Sequence, residues 1–269
     1  MTKPEVTKPD TTEETPTSKP QLQFPTETIE LPSKGLLYPK DNPLSKGTVE
    51  IKYMTAKEED ILSNQNLIKK GVVLDRLFES ILVDKFDPDD MVIGDKNAVV
   101  LATRMLGYGA DYPMKFYSAI QDEVLETKVD LSKIKIKEID YSQFQNKNHF
   151  EFTTPLGKNT IEFKILTHGD EKQIEKDIQS LQKVDKNQSA GVTTRLRYMV
   201  QSVDGNSDLG HINNFINNML ARDSKAFRDY AKRISPDMDM TFTYKHEDGE
   251  EEVVPISIGI QFFWPSEES

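Results

Sequence analysis

Among side chains that carry chemistry, cysteine is absent from all 269 residues. Thiol nucleophiles, disulfides and Cys-ligated zinc or iron–sulfur centres are therefore excluded. The four histidines, His149, His168, His211 and His246, lie far apart with no i, i+4 pair, so the spacing contains no helical metal motif. Carboxylates fall in two runs. Glu58-Glu59-Asp60 sits where a helix should begin, and acids are favoured there by the helix dipole. Asp87-Pro88-Asp89-Asp90 lacks the glycine and closing glutamate of a calcium loop and reads as a solvated loop. Acid pairs of the glycosidase type meet in space rather than in sequence, and neither run carries a signal of that activity. Gly107-Tyr108-Gly109 follows a predicted helix, not a strand, and has no third glycine at the dinucleotide spacing; it reads as a helix stop. Arg195, Arg197, Arg222, Arg228 and Arg233 read as ion-pairing or packing residues. No catalytic, cofactor-binding or metal-binding residue is assigned, and no small-molecule substrate is implied. The strongest surface candidate is Phe262-Phe263-Trp264. Three aromatics near a chain end are either a clasp closing the core or a docking patch. The clasp is favoured, because Pro265, Glu267 and Glu268 after it look like a strand ending at the surface.

These residues need a scaffold, and composition bounds it. Basic residues number 34 and acidic residues 45, for a formal net charge of -11. That balance disfavours nucleic acid, whose phosphates demand clustered Lys and Arg, and anionic membrane surfaces. No apolar run is long enough to span a bilayer. The N-terminus has no apolar signal core, so a cytoplasmic setting is expected.

Residues 1–23 are dominated by Thr, Pro, Lys and Glu and read as a disordered leader, or as a segment that orders on a partner. Residues 24–54 hold two short alternating runs separated by Pro32, Gly35, Pro39, Pro43 and Gly47. They read as an extended Pro/Gly-rich arm ending in a strand. Residues 55–269 read as a folded α+β body. Helices are expected over about 55–107: a capping box at Thr55 and Glu58 opens one running to Lys70, a second covers 74–82, and a third opens at Gly94 and Asp95. Hairpins are expected over about 112–166. Four amphipathic helices are expected over about 169–234, one of them carrying Leu196, Met199, Val200 and Val203 on a single face. A hairpin and a strand should close the chain over about 239–264, with Ile258, Ile260 and Phe262 on its buried face.

Several runs also carry a resemblance. They are Leu31-Pro32-Ser33-Lys34-Gly35-Leu36-Leu37-Tyr38, Met54 through Leu62, Gly71 through Asp75, Gly94-Asp95-Lys96-Asn97, and Gly107 through Tyr112. Leu166 through Glu171, Ser202-Val203-Asp204-Gly205, Leu220 through Ser224 and Phe262-Phe263-Trp264-Pro265 follow. In order and spacing the chain resembles the T-even-like bacteriophage baseplate hub or hub-assembly proteins, from about Leu31 to Pro265. The resemblance implies a non-catalytic protein of the contractile-tail baseplate, in the virion and in host cytoplasm during assembly, with other baseplate and tail proteins as partners. An assembly chaperone absent from the particle, and a tail-associated hydrolase, are the alternatives. Relatives carry two CxxC pairs at β-turns, like a split zinc ribbon. The matching turns here, near 117–121 and 245–248, have no cysteine, so the implied element is a Cys-less one, held by hydrogen bonds and packing.

Overall fold

The computed structural model describes residues 24–184 and 191–264; the predicted leader, 1–23, lies outside them. The fold is α+β: eight α-helices and four small antiparallel sheets are formed among the described residues. No helix there is long and apolar enough to cross a membrane.

The chain is organised around one buried helix. In order, helices α1 (Ala56–Ser63), α2 (Gln65–Lys69) and α3 (Val73–Ile81) lead to α4 (Ile93–Tyr108). Every residue from 94 to 104 except Asn97 is buried. A helix covered all round needs no polar stripe, and Ala98, Val99, Val100, Leu101 and Ala102 supply the apolar surface.

The first turn of α4 ties down three other segments. Gly94 lets residues 236–237 approach: a Cβ there would lie 1.9 Å from the Pro236 carbonyl oxygen. Asp95 receives the 33–38 loop, with Ser33 N–H at 2.8 Å, Ser33 Oγ at 2.6 Å and Tyr38 OH at 2.6 Å. Lys96 pairs with Glu171 at 3.0 Å, and Asn97 donates to Asp237 at 3.0 Å.

The 24–54 segment is not a loose arm. Its two alternating runs become β1 (Thr26–Glu30) and β2 (Thr48–Lys52), which pair antiparallel. The proline- and glycine-rich stretch between them folds inward, burying Leu31, Leu37, Tyr38 and Leu44 in the common core. Gly35 makes this possible: its φ is +75°, and a Cβ would meet the Ser45 carbonyl oxygen at 2.3 Å. Glu58 then joins β2 to the helices. It accepts from Lys52 Nζ, from the Thr55 N–H and hydroxyl, and from Ser80 of α3. Burial pushes its carboxyl up, but these donors overcome that and hold it down at about 2.

The expected single helix to Lys70 is broken at Asn64. This residue turns extended, and its side chain caps the Asn66 and Leu67 N–H groups; local capping of this kind competes with helix continuation.

After α4, hairpin β3 (Asp111–Ser118) and β4 (Glu123–Asp130) forms as expected. So does β5 (Phe150–Thr153) with β6 (Thr160–Phe163), and then come α5 (His168–Val184) and α6 (Gly191–Met199). The helix expected through Val203 stops at Met199, and β7 (Val200–Val203) pairs with β6 as a third strand. Val200 and Val203 fit the helical period by coincidence, and branching at Cβ favours the strand. Helices α7 (Leu209–Asn218) and α8 (Ala221–Ile234) follow. Phe227 of α8 packs on Phe163 and Phe152 of the sheet, with ring centroids 4.9 and 5.6 Å apart. Hairpin β8 (Thr241–Lys245) and β9 (Glu251–Pro255) completes the sheets. The closing strand does not form; residues Ile260–Phe262 make a 3₁₀ turn.

Because residues 236–237 lie against the α4 backbone, Gly94→Ala should lower the unfolding free energy by at least about 2 kcal/mol, since overpacking here meets main chain rather than a yielding side chain. Urea denaturation checks this, and an unshifted midpoint would contradict it.

Candidate functional site

Two buried charges sit at opposite ends of α4, and among the described residues neither has a buried partner of opposite sign within hydrogen-bonding reach. Asp95, in the first turn, is fully buried. Its three donors come from residues themselves held in place: Tyr38 OH accepts from Val92 N–H at 3.0 Å, and Ser33 Oγ accepts from Gly35 N–H at 3.1 Å. Burial pushes the Asp95 carboxyl up to about 6 despite the donors from Ser33 and Tyr38, with Asp237 adding to the rise. Burial likewise drives the Tyr38 hydroxyl well above its ordinary range, and the neighbouring Asp95 adds to that.

Arg104, near the other end, is 2% exposed. Its Nε donates to the Phe262 carbonyl at 3.2 Å and its guanidinium to the Gly109 carbonyl at 3.1 Å. The faces of Tyr108 and Tyr112 lie 5.0 and 5.8 Å from it. Burial lowers its pKa from the ordinary value, yet a guanidinium stays charged. An anion at the N-terminal end and a cation at the C-terminal end both complement the helix dipole. The arrangement fastens segments together. Both side chains are buried.

The expected clasp at residues 262–264 is divided. Phe262 and Phe263 are fully buried, and Phe262 lies 5.0 Å from the Tyr112 ring. Trp264 is 39% exposed and leans on Tyr108 at 5.9 Å. The two phenylalanines, not the tryptophan, close the core.

The four histidines remain apart. His149 bonds Gln201 at 3.0 Å on the sheet surface, and exposed His211 lies beside a groove with Asn214, Asn218 and Asp223. Asp223 itself is engaged: it accepts the Leu156 and Gly157 N–H groups, each at 2.8 Å, docking the β5–β6 turn on α8.

His246 is buried in the β8–β9 turn, where Nε2 meets Glu252 at 3.1 Å and Nδ1 has no partner among the described residues. Glu252 also accepts from Ser118 Oγ at 2.7 Å and from Ala119 N–H at 3.0 Å. One carboxylate thus joins the turns of β3–β4 and β8–β9, and Phe116 packs on Tyr244 below it at 5.1 Å.

His168 belongs to the one cluster that brings histidine and two carboxylates together among the described residues. His168, Asp75 and Asp89 hold ligand-type atoms within 4.8 Å of one another. Their cation is already supplied. Lys172 Nζ lies 2.8 Å from Asp89 and 3.2 Å from Asp75, and His168 Nε2 lies 2.7 Å from Asp75. A metal would have to displace an ammonium that satisfies both carboxylates.

The predicted carboxylate runs serve structure in the same way. Glu59 accepts from Tyr108 OH at 3.1 Å, and Asp87 caps the Asp89 N–H at 3.0 Å. Among the arginines, Arg195 approaches Glu171 at 3.6 Å, Arg197 bonds Asn217 at 3.1 Å, and Arg233 lies over Tyr230 at 5.3 Å.

No family model, no curated protein and no solved structure matches this chain.

Two outcomes are expected. The folded carboxyl of Asp95 is raised to about 6 from an unfolded 3.8. Its contribution is therefore fully present below pH 3.8 and is lost as pH rises through about 6. Asp95→Asn should remove that slope, leaving a stability difference from wild type that changes by roughly 3 kcal/mol between those pH values; a pH-independent difference would contradict it. Phe263→Ala should cost about 3–5 kcal/mol, whereas Trp264→Ala should cost about 1 kcal/mol or less. Paired melts decide, and equal losses would show that the tryptophan closes the core after all.

Proposed function

We propose that the chain is a non-catalytic component of the contractile-tail baseplate of a tailed bacteriophage, placed in its hub or required to build it, and that it works through protein–protein interfaces. One observation carries the reading. Several of the separate runs on which the resemblance rests converge on α4. Ser33 and Tyr38 of the first run meet Asp95 of Gly94-Asp95-Lys96-Asn97. Lys96 of that run meets Glu171 of the run from Leu166. Phe262 of the last run meets Arg104, next to the run from Gly107, whose Gly109 supplies the second carbonyl. Residues scattered over more than two hundred positions thus form one fastening system, as expected if they define a fold shared with that family.

A finer point has support of the same kind. The turns at 117–121 and 245–248, where the resemblance would place metal-binding pairs, lie side by side and share Glu252. We read the two hairpins as a split, Cys-less zinc-ribbon-like element in which one carboxylate does the joining. Partners would be other baseplate and tail proteins, in the virion and, before that, in the host cytoplasm. Exposed Tyr117, Ile120 and Val124 at the β3–β4 tip, and Leu209 and Leu220 flanking α7, offer apolar contacts for them.

Quantitative peptide mass spectrometry of purified particles from the phage encoding this chain tests the reading. The expected result is a fixed, stoichiometric amount per baseplate. Absence from both particles and tail precursors would overturn the proposal, and presence in precursors alone would assign it the chaperone role.

A further inference from the structure

The junction between α3, the 88–90 turn and α5 contains a buried imidazole that nothing above requires. The His168 side chain is 7% exposed. Phe78 meets its ring edge-on, with centroids 5.7 Å apart. Nε2 faces Asp75 of α3 at 2.7 Å, and Nδ1 is buried without a hydrogen-bond partner among the described residues. A carboxylate accepts only, so Nε2 carries the proton and Nδ1 is a bare lone pair. The charged groups around the ring come from every neighbouring element: Asp75 from α3, Asp89 from the turn, Lys172 from α5, and Lys96 from α4, itself paired with Glu171, which Arg195 of α6 also approaches.

The backbone on either side is held by few bonds. His168 N–H donates to the Met91 carbonyl at 2.8 Å, Ile93 N–H to the Leu166 carbonyl at 3.1 Å, and Val92 and Thr167 form an isolated bridge.

We propose that His168 is an acid-sensitive latch, holding the N-terminal turn of α5 against α3 and residues 88–93 while its ring is neutral and releasing it when the ring takes a second proton. A proton on Nδ1 would be buried with no acceptor, a cost borne only by the closed form. Burial pushes the imidazole below its ordinary value, outweighing the Asp75 carboxylate, and Lys96 adds to the downward push. The sign follows. The open form takes up the proton near pH 6.5 while the closed form does not, so closure is complete above that pH and weakens below it. The population of the open form grows toward tenfold per pH unit.

The test is hydrogen exchange of full-length protein between pH 7.5 and 5.0, corrected for intrinsic rates, beside His168→Gln, whose amide N–H reaches Asp75 without titrating. The expected result is a loss of protection on the order of tenfold at residues 88–93 and 166–172 in wild type, with that loss absent in His168→Gln. The same loss in both proteins, or none in wild type, would overturn the latch. Should the variant fold poorly, the ring nitrogens of wild-type His168 are followed by NMR. A neutral Nε2–H tautomer persisting below pH 6 supports the proposal, and a ring titrating at or above the free imidazole value refutes it.

Discussion

The constraint on which the structure depends is the placement of two unpaired charges at the ends of a helix that has no solvent face. Asp95 and Arg104 are nine residues apart on α4, so about 13 Å separates them along the axis. Each is desolvated, which is costly for an isolated charge. Each is compensated by oriented neutral groups and by the helix dipole, not by a counter-ion. Asp95 is surrounded by donors from the 33–38 loop, and Arg104 by carbonyls and aromatic faces at the C-terminal turn. The two ends of the described chain therefore meet the same element. Removing one of these charges with its partners left in place would strand buried donors or carbonyls, the costly direction of the hydrogen-bond asymmetry.

Much of the fold was legible because local signals were strong. The stripes of α7 and α8 and the alternation in β3, β4, β8 and β9 each have one face more buried than the other, which is what periodicity reports. Apart from the break at Asn64, which is a local capping effect, the failures share a cause: long-range contacts overrode the local pattern. Residues 31–47 look like an arm because prolines and glycines interrupt them, yet Leu31, Leu37 and Leu44 have a core to enter only once α4 is in place. Val200 and Val203 satisfy two periods at once, and pairing with β6 decides between them. Ile258, Ile260 and Phe262 alternate, but among the described residues no partner strand meets them. Arg104 instead takes the Phe262 carbonyl, and a 3₁₀ turn results.

The candidate sites were less legible. Nothing marks Asp95 or Arg104 as special in sequence: Asp95 falls where a helix is expected to open, and Arg104 lies among the apolar residues of that helix. Their importance is set by residues about sixty positions earlier and about 160 later. The partners of the buried histidines, Asp75 for His168 and Glu252 for His246, lie where no motif points. What the molecule shows is a consistent use of polar groups. Carboxylates at Asp95, Asp223 and Glu252 each collect N–H or O–H groups from a distant turn and thereby fix one segment on another.

Native-state hydrogen exchange under graded denaturant tests the central claim most directly, because it ranks segments by the free energy of the opening that exposes them. If α4 fastens both ends through Asp95 and Arg104, the amides of residues 33–38, 94–104 and 260–263 should exchange together, through the largest opening the protein undergoes. Exchange of either terminal segment through an opening several kcal/mol smaller than that of α4 would contradict the account.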